Sequence, residues 1–250
     1  LIVEYETPDL LALCLASLKK FAPWVRPVVL QGRQGAEAHA EGIERARHSG
    51  RLGLLEADIV ILLDTDVVIL SDQWWPWVQQ ELGKGLYAIG GLRHRGDVRQ
   101  VFCDGRLLLH AHCLAMRREW FEQVPSFAAD LTRNRDTAWQ ASITPQNYAA
   151  AVVPFYGYGW PERVGLYRKH GDLYWAHLGR GTSFRPRGPW REGLRRLTAR
   201  LGSPRSRKIL SYQEDRAAFL KKGWEIVRGK PEGGYAHGRW HDPRMLEDHQ

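Results

Sequence analysis

From Ile59 to Leu70 the chain is apolar at every position except Asp64-Thr65-Asp66 at its centre. The first half of this run, after Ala57-Asp58, is rich in Ile, Leu and Val. Such runs fill central parallel strands that are covered on both faces. Two further β-type runs precede it, Leu1 to Tyr5 and Val25 to Leu30. Between the first two, Leu10, Leu11, Cys14, Leu15, Leu18 and Phe21 recur at three- and four-residue spacing, as an amphipathic helix requires. Thr7 or Asp9 can cap that helix, and Pro8 suits its first turn. Glu37 to His48 has helical composition, with Ile43 and Ala46 on one side. The order β-α-β-α-β predicts an α/β domain built on an open, mostly parallel twisted sheet with helices on both faces. Right-handed crossovers bring the carboxyl ends of such strands to one edge, where open α/β sheets bind ligands.

The aspartates stand at that edge. If the strand stays extended through Thr65, Asp64 and Asp66 project to the same side and can hold one divalent ion, Mg2+ or Mn2+, between hard oxygen ligands. The plain alternative is a solvated turn. Against it, a turn would abandon the apolar run midway, and two like charges there are costly without a cation.

Downstream, Trp74 to Leu82 reads as helix, Leu86 to Gly91 as strand, and Val101 to Met116 as strand around a Gly105 turn. Trp120-Phe121 begins a helix, Thr137 to Ala151 is helix-like although Pro145 divides it, and Val152 to Tyr158 reads as a late strand. Cys14, Cys103 and Cys113 lack the spacing of a zinc site or a disulfide scaffold, so they read as small buried residues in a reducing cytoplasm. No run of about 18 apolar residues is present, and the first residues read as strand rather than as an export signal. The net charge of +8, with 28 arginines among 36 basic residues, suits an anionic partner such as a nucleotide diphosphate, a phospholipid surface or nucleic acid.

The opening segment Val3-Glu4-Tyr5-Glu6-Thr7-Pro8-Asp9-Leu10-Leu11, with Cys14-Leu15 and Ser17-Leu18, resembles that of family 2-like GT-A glycosyltransferases, V-x-Y-N-x-P-x-x-L-x-x-C-L-x-S-L. Gly42-Ile43-Glu44-Arg45-Ala46, the apolar strand and the D-x-D triplet follow in the family's order. The resemblance is good up to the end of the triplet region, loose up to Arg185 and absent beyond. It implies a GT-A, Rossmann-like fold and a hexosyltransferase-type enzyme. A nucleoside-diphosphate sugar, UDP-linked by preference, is the donor. Its diphosphate is bridged by Mn2+ or Mg2+ on Asp64 and Asp66, with Asp64 and Thr65 beside the nucleotide. Glu4, Tyr5, Glu6 and Thr7 lie against base and ribose. Glu6 replaces the family's Asn, and Gln31 replaces the aspartate that usually ends the second strand.

His177 resembles the third metal ligand that many GT-A enzymes take near the end of the core, though a structural role is equally open. Arg180, between Gly179 and Gly181, can meet the diphosphate. Asp136 is the candidate base for an inverting reaction, although it lacks the family's Glu-Asp pair and an ordinary N-cap is the stronger reading from sequence alone, with Asp130 in reserve. Trp74, Trp75 and Trp77 have the spacing of core residues, while Tyr156, Tyr158 and Trp160 suit an acceptor pocket. His110 and His112 alternate on one strand face and are assigned no metal.

We place a catalytic domain over residues 1–184 and a basic extension, packed on the core, over 185–250, with a helix from Tyr212 to Gly223 and then a Gly-rich tail. Trp190 to Leu201 has the pattern of a basic amphipathic helix, and the Arg-rich 185–208 segment can dock on the core, contact a polyanionic acceptor or rest on an anionic membrane surface. The acceptor is a glycan, a lipid-linked molecule, a protein or modified DNA. Cytoplasmic location is the expectation, with peripheral attachment to a membrane surface as an open alternative. A nucleic-acid-binding protein on a degenerate GT-A platform is the competing reading. A nucleotidyltransferase fits less well, because Glu6-Thr7-Pro8-Asp9 is acidic and glycine-free.

Overall fold

A computed structural model describes residues 1–4, 6–32, 36–49, 57–92, 102, 103, 106, 107, 109–129, 137, 139–143, 150–153, 155–159, 164–169, 172–179 and 189–229. The first three strands are β1 (Ile2–Glu4), β2 (Val29–Gln31) and β3 (Ile59–Asp64), connected by α1 (Pro8–Phe21) and α2 (Ala36–His48). β1 pairs in parallel with both β2 and β3, so Glu4, Gln31 and Asp64 end together on one sheet edge. The sheet continues through β8 (Leu109–Arg117), β5 (Ala88–Leu92) and β9 (Ala150–Val153), in the order β2-β1-β3-β8-β5-β9. β8 runs antiparallel to β3 and β5, and β9 runs parallel to β5. The expected α/β class and mostly parallel sheet are observed, with one antiparallel strand inserted.

Alternation along β3 explains its unbroken apolar composition. Ile61 and Leu63 join the cluster of Ile2, Cys14, Leu18 and Trp74 on one face. Val60 and Leu62 join Val3, Ile43, Leu114 and Phe121 on the other. A strand buried on both faces has no polar side to display.

The second half of the apolar run does not extend this strand. It forms β4 (Val67–Ile69), the edge of a separate antiparallel sheet of order β10-β11-β12-β4. β10 is Phe155–Gly159, β11 Val164–Lys169 and β12 Asp172–His177. β4 is also covered on both sides: Val67 and Ile69 face the first cluster, and Val68 faces Leu10, Leu13, Leu166 and Ala176. All three residues are fully buried, each contributing about 1.5 to 3 kcal/mol relative to exposure.

α3 (Trp74–Gly83) buries Trp74 and Trp77, as their helical spacing predicts. A short hairpin, β6 (Phe102–Cys103) and β7 (Arg106–Leu107), precedes β8, and α4 (Arg118–Gln123) follows it. Within the span expected as helix from Thr137 to Ala151, Trp139–Ile143 forms α5, whereas Ala150 and Ala151 pair beside β5 as part of β9; residues 144–149 lie outside the described residues. Tertiary pairing overrides local propensity there. The late strand expected over Val152 to Tyr158 is two strands, β9 and β10, in different sheets. Cys14 and Cys113 are free and buried, and Cys103 lies on β6. Burial foremost raises both buried thiols.

Two helices close the described chain, α6 (Pro189–Arg200) and α7 (Pro204–Val227). α7 is twice the length expected from Tyr212 to Gly223, because Ser203 accepts a hydrogen bond from the Ser206 amide and Pro204 occupies the first turn. It lies along α1. Phe219 is fully buried, Arg216 contacts Asp9 at 2.5 Å, and Lys20 Nζ donates to the Ile226 carbonyl at 2.6 Å. Among the described residues, no helix is long and apolar enough to cross a membrane. The Gly-rich tail lies outside the described residues.

At the α1–α7 contact a Cβ on Gly223 would come within 2.5 Å of Leu13 Cδ2, and Leu13 is itself fully buried. Gly223→Ala is expected to lower stability by about 1 to 2 kcal/mol, because overpacking outweighs the gain in helix propensity. Urea unfolding measures this, and a variant as stable as the parent would show that α7 does not press on α1 there.

Candidate metal centre

β3 ends at Asp64, Thr65 and Asp66 form a turn, and β4 starts at Val67. The extended geometry anticipated through Thr65 is therefore not observed. The physical reason is that the two halves of the apolar run are buried in different sheets, so the chain turns between them without exposing either. The second sheet then supplies His177, which pairs in register with Val67, while the Leu178 amide donates to the Asp66 carbonyl at 3.0 Å.

The turn brings Asp64, Asp66 and His177 together, with one ligand atom from each lying within 4.8 Å of the others. His177 Nε2 is 3.4 Å from Asp66 Oδ1 and 3.8 Å from Asp64 Oδ2. Donors about 2.1 Å from one shared ion stand roughly 3 to 4.2 Å apart, so both separations fit without rebuilding the site. Hard carboxylate oxygens with one imidazole suit Mn2+ well and Mg2+ acceptably. The Asp64 side chain is 25% exposed and that of Asp66 8%, which leaves the site open on the Asp64 side.

The sequence reading missed His39. Its Nε2 lies 3.6 Å from Asp64 Oδ1, on the opposite side of that carboxylate from His177. The signal was available in the spacing: His39 precedes Ile43 by four residues and Ala46 by seven, so it shares their inward face at the end of α2 nearest the strand tips.

His112 stands behind His177, its ring parallel to within 4° at a centroid distance of 4.3 Å. The Trp175 indole donates to His112 Nε2 at 3.0 Å, which places the imidazole proton on Nδ1. Sequence alternation puts His110 and His112 on one strand face, turned either to a ligand or to solvent. Instead His112 is fully buried and His110 is half-buried. The rings pack 4.5 Å apart, and His110 Nδ1 accepts from the His112 amide at 3.1 Å. Gly91 makes this packing possible, because a Cβ there would lie 2.7 Å from Tyr167 Cε1 and 3.0 Å from His112 Nε2.

The loop after β1 abuts the turn. Thr7 caps α1 without a side-chain cap bond, and its hydroxyl is directed to Thr65 Oγ1 at 3.3 Å. Glu4 is buried and its carboxylate accepts from the Thr7 amide at 2.6 Å, closing the loop on itself. Glu6 is exposed and has φ +56, a left-handed conformation that costs a non-glycine residue energy. Tyr5, Asp130, Asp136, Trp160 and Arg180 lie outside the described residues, as do the side chains of Tyr156 and Tyr158.

No protein-family model and no curated protein matches the sequence. Solved structures with a similar fold include A197 from STIV, at 16% identity over 69% of this chain and 91% of that one, with a TM-score of 0.45. Another is the mannosyltransferase PcManGT from Pyrobaculum calidifontis, in complex with GDP-Man and Mn2+, at 12% identity over 92% and 86% of the two chains and a TM-score of 0.41. A third is glucosyl-3-phosphoglycerate synthase from Mycobacterium tuberculosis, in complex with Mn2+ and UDP-Glc, at 15% identity over 96% and 85% and a TM-score of 0.37.

Two expectations arise from this geometry. Burial, and after it His177 and His110, hold His112 well below its ordinary pKa of 6.5. The unfolded chain therefore takes up this proton first as pH falls, so the group's effect on stability is absent above about pH 7 and grows as pH drops below about 6.5. The loss reaches at most about 1.4 kcal/mol per pH unit. His112→Gln keeps an acceptor for Trp175 and should show a shallower decline in unfolding free energy over that range; an equally steep decline would assign it to other groups. Separately, Glu6→Asn should stabilise by a few tenths to about 1 kcal/mol, since Asn tolerates positive φ. A lower unfolding midpoint would mean that the Glu6 side chain holds the loop.

Proposed function

We propose that this chain is a metal-dependent glycosyltransferase of the hexosyltransferase type, taking its sugar from a nucleoside-diphosphate donor. The observation that carries the reading is the convergence of Asp64, Asp66 and His177 on one point at the carboxyl edge of a mostly parallel sheet. Open α/β sheets bind ligands at that edge. The opening motif of the sequence, which resembles that of GT-A enzymes, includes Thr7, whose hydroxyl lies 3.3 Å from that of Thr65.

In this reading Asp64, Asp66 and His177 hold Mn2+ or Mg2+, which when bound supplies Lewis-acid stabilisation of a diphosphate leaving group. The protein's own residues set the conditions for that chemistry. His39 Nε2 lies 3.6 Å from one oxygen of Asp64, and His177 Nε2 lies 3.8 Å from the other. His112 and Trp175 support the His177 ring from behind, where bulk water is excluded. Glu4 and Thr7 fix the β1–α1 loop, which with Tyr5, Glu6 and Thr65 forms the nucleoside side of the site. Arg180 would meet the diphosphate, and Asp136 would accept the proton of the acceptor hydroxyl. The donor to try first is a UDP-sugar, and the acceptor is a glycan, a lipid-linked molecule, a protein or modified DNA. The catalytic domain is assigned to residues 1–184.

Thermal unfolding with UDP, GDP, CDP and dTDP, each with Mn2+, with Mg2+ and with chelator, tests the assignment. One diphosphate should raise the midpoint only when metal is present. At about a hundred-fold excess over Kd the gain is about 2.7 kcal/mol, several degrees for a chain of this size. Asp66→Ala should lose that shift while its metal-free midpoint stays level or rises, since one of two like charges is gone. Metal-dependent nucleotide stabilisation retained in Asp66→Ala would refute the metal assignment, and no stabilisation by any nucleotide would refute the donor class.

A further inference from the structure

α6 packs the wrong way round for a helix that only completes a core. Its half-buried residues are Glu192, Arg195, Thr198 and Ala199, spaced for one face. Glu192 and Arg195 form an ion pair at 2.7 Å, and Thr198 Oγ1 reaches Ser206 Oγ on α7 at 2.7 Å. The apolar residues are turned outward: Trp190 is 78% exposed, Leu194 47%, Leu197 52% and Leu201 78%. Steps of four, three and four residues confine them to a stripe roughly 60° wide, opposite the face that meets α7. Arg191 and Arg200 flank the stripe on either side, both exposed, with Arg196, Arg205, Arg207 and Lys208 also exposed nearby. The only acidic side chain between Pro189 and Lys208 is Glu192, already paired with Arg195.

We propose that this face of α6 binds an anionic lipid surface, lying in the plane of the interface. An apolar stripe edged by cations, with a tryptophan at one end, matches a bilayer boundary on both counts: leucines enter the acyl region and arginines meet phosphate head groups. A nucleic acid would satisfy the arginines but leave three leucines in water. The inference does not rest on the metal centre, and Asp66→Ala should bind vesicles as the parent does.

Co-sedimentation of the full chain with vesicles tests it, using phosphatidylcholine alone and phosphatidylcholine with one third phosphatidylglycerol. Binding to the anionic vesicles, weakened by salt, with little binding to neutral ones, is expected. Leu194→Ser with Leu197→Ser should reduce binding roughly hundred-fold, about ten-fold for each leucine removed from the interface. Arg191→Gln with Arg196→Gln and Arg200→Gln should reduce it by a similar factor on anionic vesicles only, at about five-fold per charge. Dibrominated acyl chains should quench part of the tryptophan fluorescence, and Trp190→Phe should remove that part.

Three results would overturn the proposal. One is no sedimentation with anionic vesicles. Another is vesicle binding unchanged by the leucine substitutions, with tighter, steeply salt-dependent binding to DNA fragments, which would return the patch to nucleic acid. The third is self-association in sedimentation equilibrium that the leucine substitutions abolish, which would assign the stripe to a second copy of the chain.

Discussion

The turn at Asp64-Thr65-Asp66 is the constraint on which the rest of the site depends. Val60 to Leu63 are buried in one sheet and Val67 to Ile69 in another, so the chain between them cannot slide by a residue without moving apolar side chains to the wrong face. Register on both sides is held by paired neighbours: Val3 beside Asp64 in the first sheet and His177 beside Val67 in the second. Two carboxylates and an imidazole are thus placed by packing that has nothing to do with ligand binding. A site made this way is pre-organised at little local cost, since the burial of β3 and β4 supplies the energy.

The surroundings of the triad fit a site completed by a cation. The contacts of His177 with the two aspartates, and of His39 with Asp64, run from 3.4 to 3.8 Å, longer than a charge-assisted hydrogen bond. The two separations that involve His177 are compatible with three ligands of one ion. The negative potential of the aspartates is felt at Cys14, whose thiol lies 3.8 Å from the Asp64 carbonyl. Burial raises that thiol most, and Asp66 and Asp64 raise it further. On the opposite side, His112 stays neutral and so adds no positive charge that would compete with a metal for the carboxylates.

Much of this was legible in the sequence, and the failures share a cause. The β-α-β-α-β order, the Pro8 start of α1, the buried Trp74 and Trp77 and the candidate status of Asp64 and Asp66 follow from periodicity, turn chemistry or spacing, while that of His177 rests on the resemblance to GT-A enzymes. The switch of sheets at Thr65 was not legible, because a run that is apolar on both sides of a break looks the same whether one sheet buries it or two. The burial of His112 escaped for a related reason: alternation locates a face, but only Trp175 and Tyr167, far along the chain, determine that this face is covered. The same holds for β9, where a helical composition yields to pairing with β5. His39 differs from these, since its spacing from Ile43 was in plain view and only its distant partner was not.

The two closing helices show how far composition can be trusted to say which side of an element faces inward. α7 follows the ordinary rule, burying Phe219, Gly223 and Ile226 at steps of four and three against α1. α6 inverts it, although a half-turn about its own axis would place Leu194 and Leu197 against α7. That rotation would break the Thr198–Ser206 contact, and Arg195 with Glu192 would move from a half-covered position into water, where the pair is worth little. Hydrophobic burial of two leucines exceeds those losses, so an α6 shaped by intramolecular stability alone would lie the other way. Its observed orientation therefore suits the lipid surface proposed for this face.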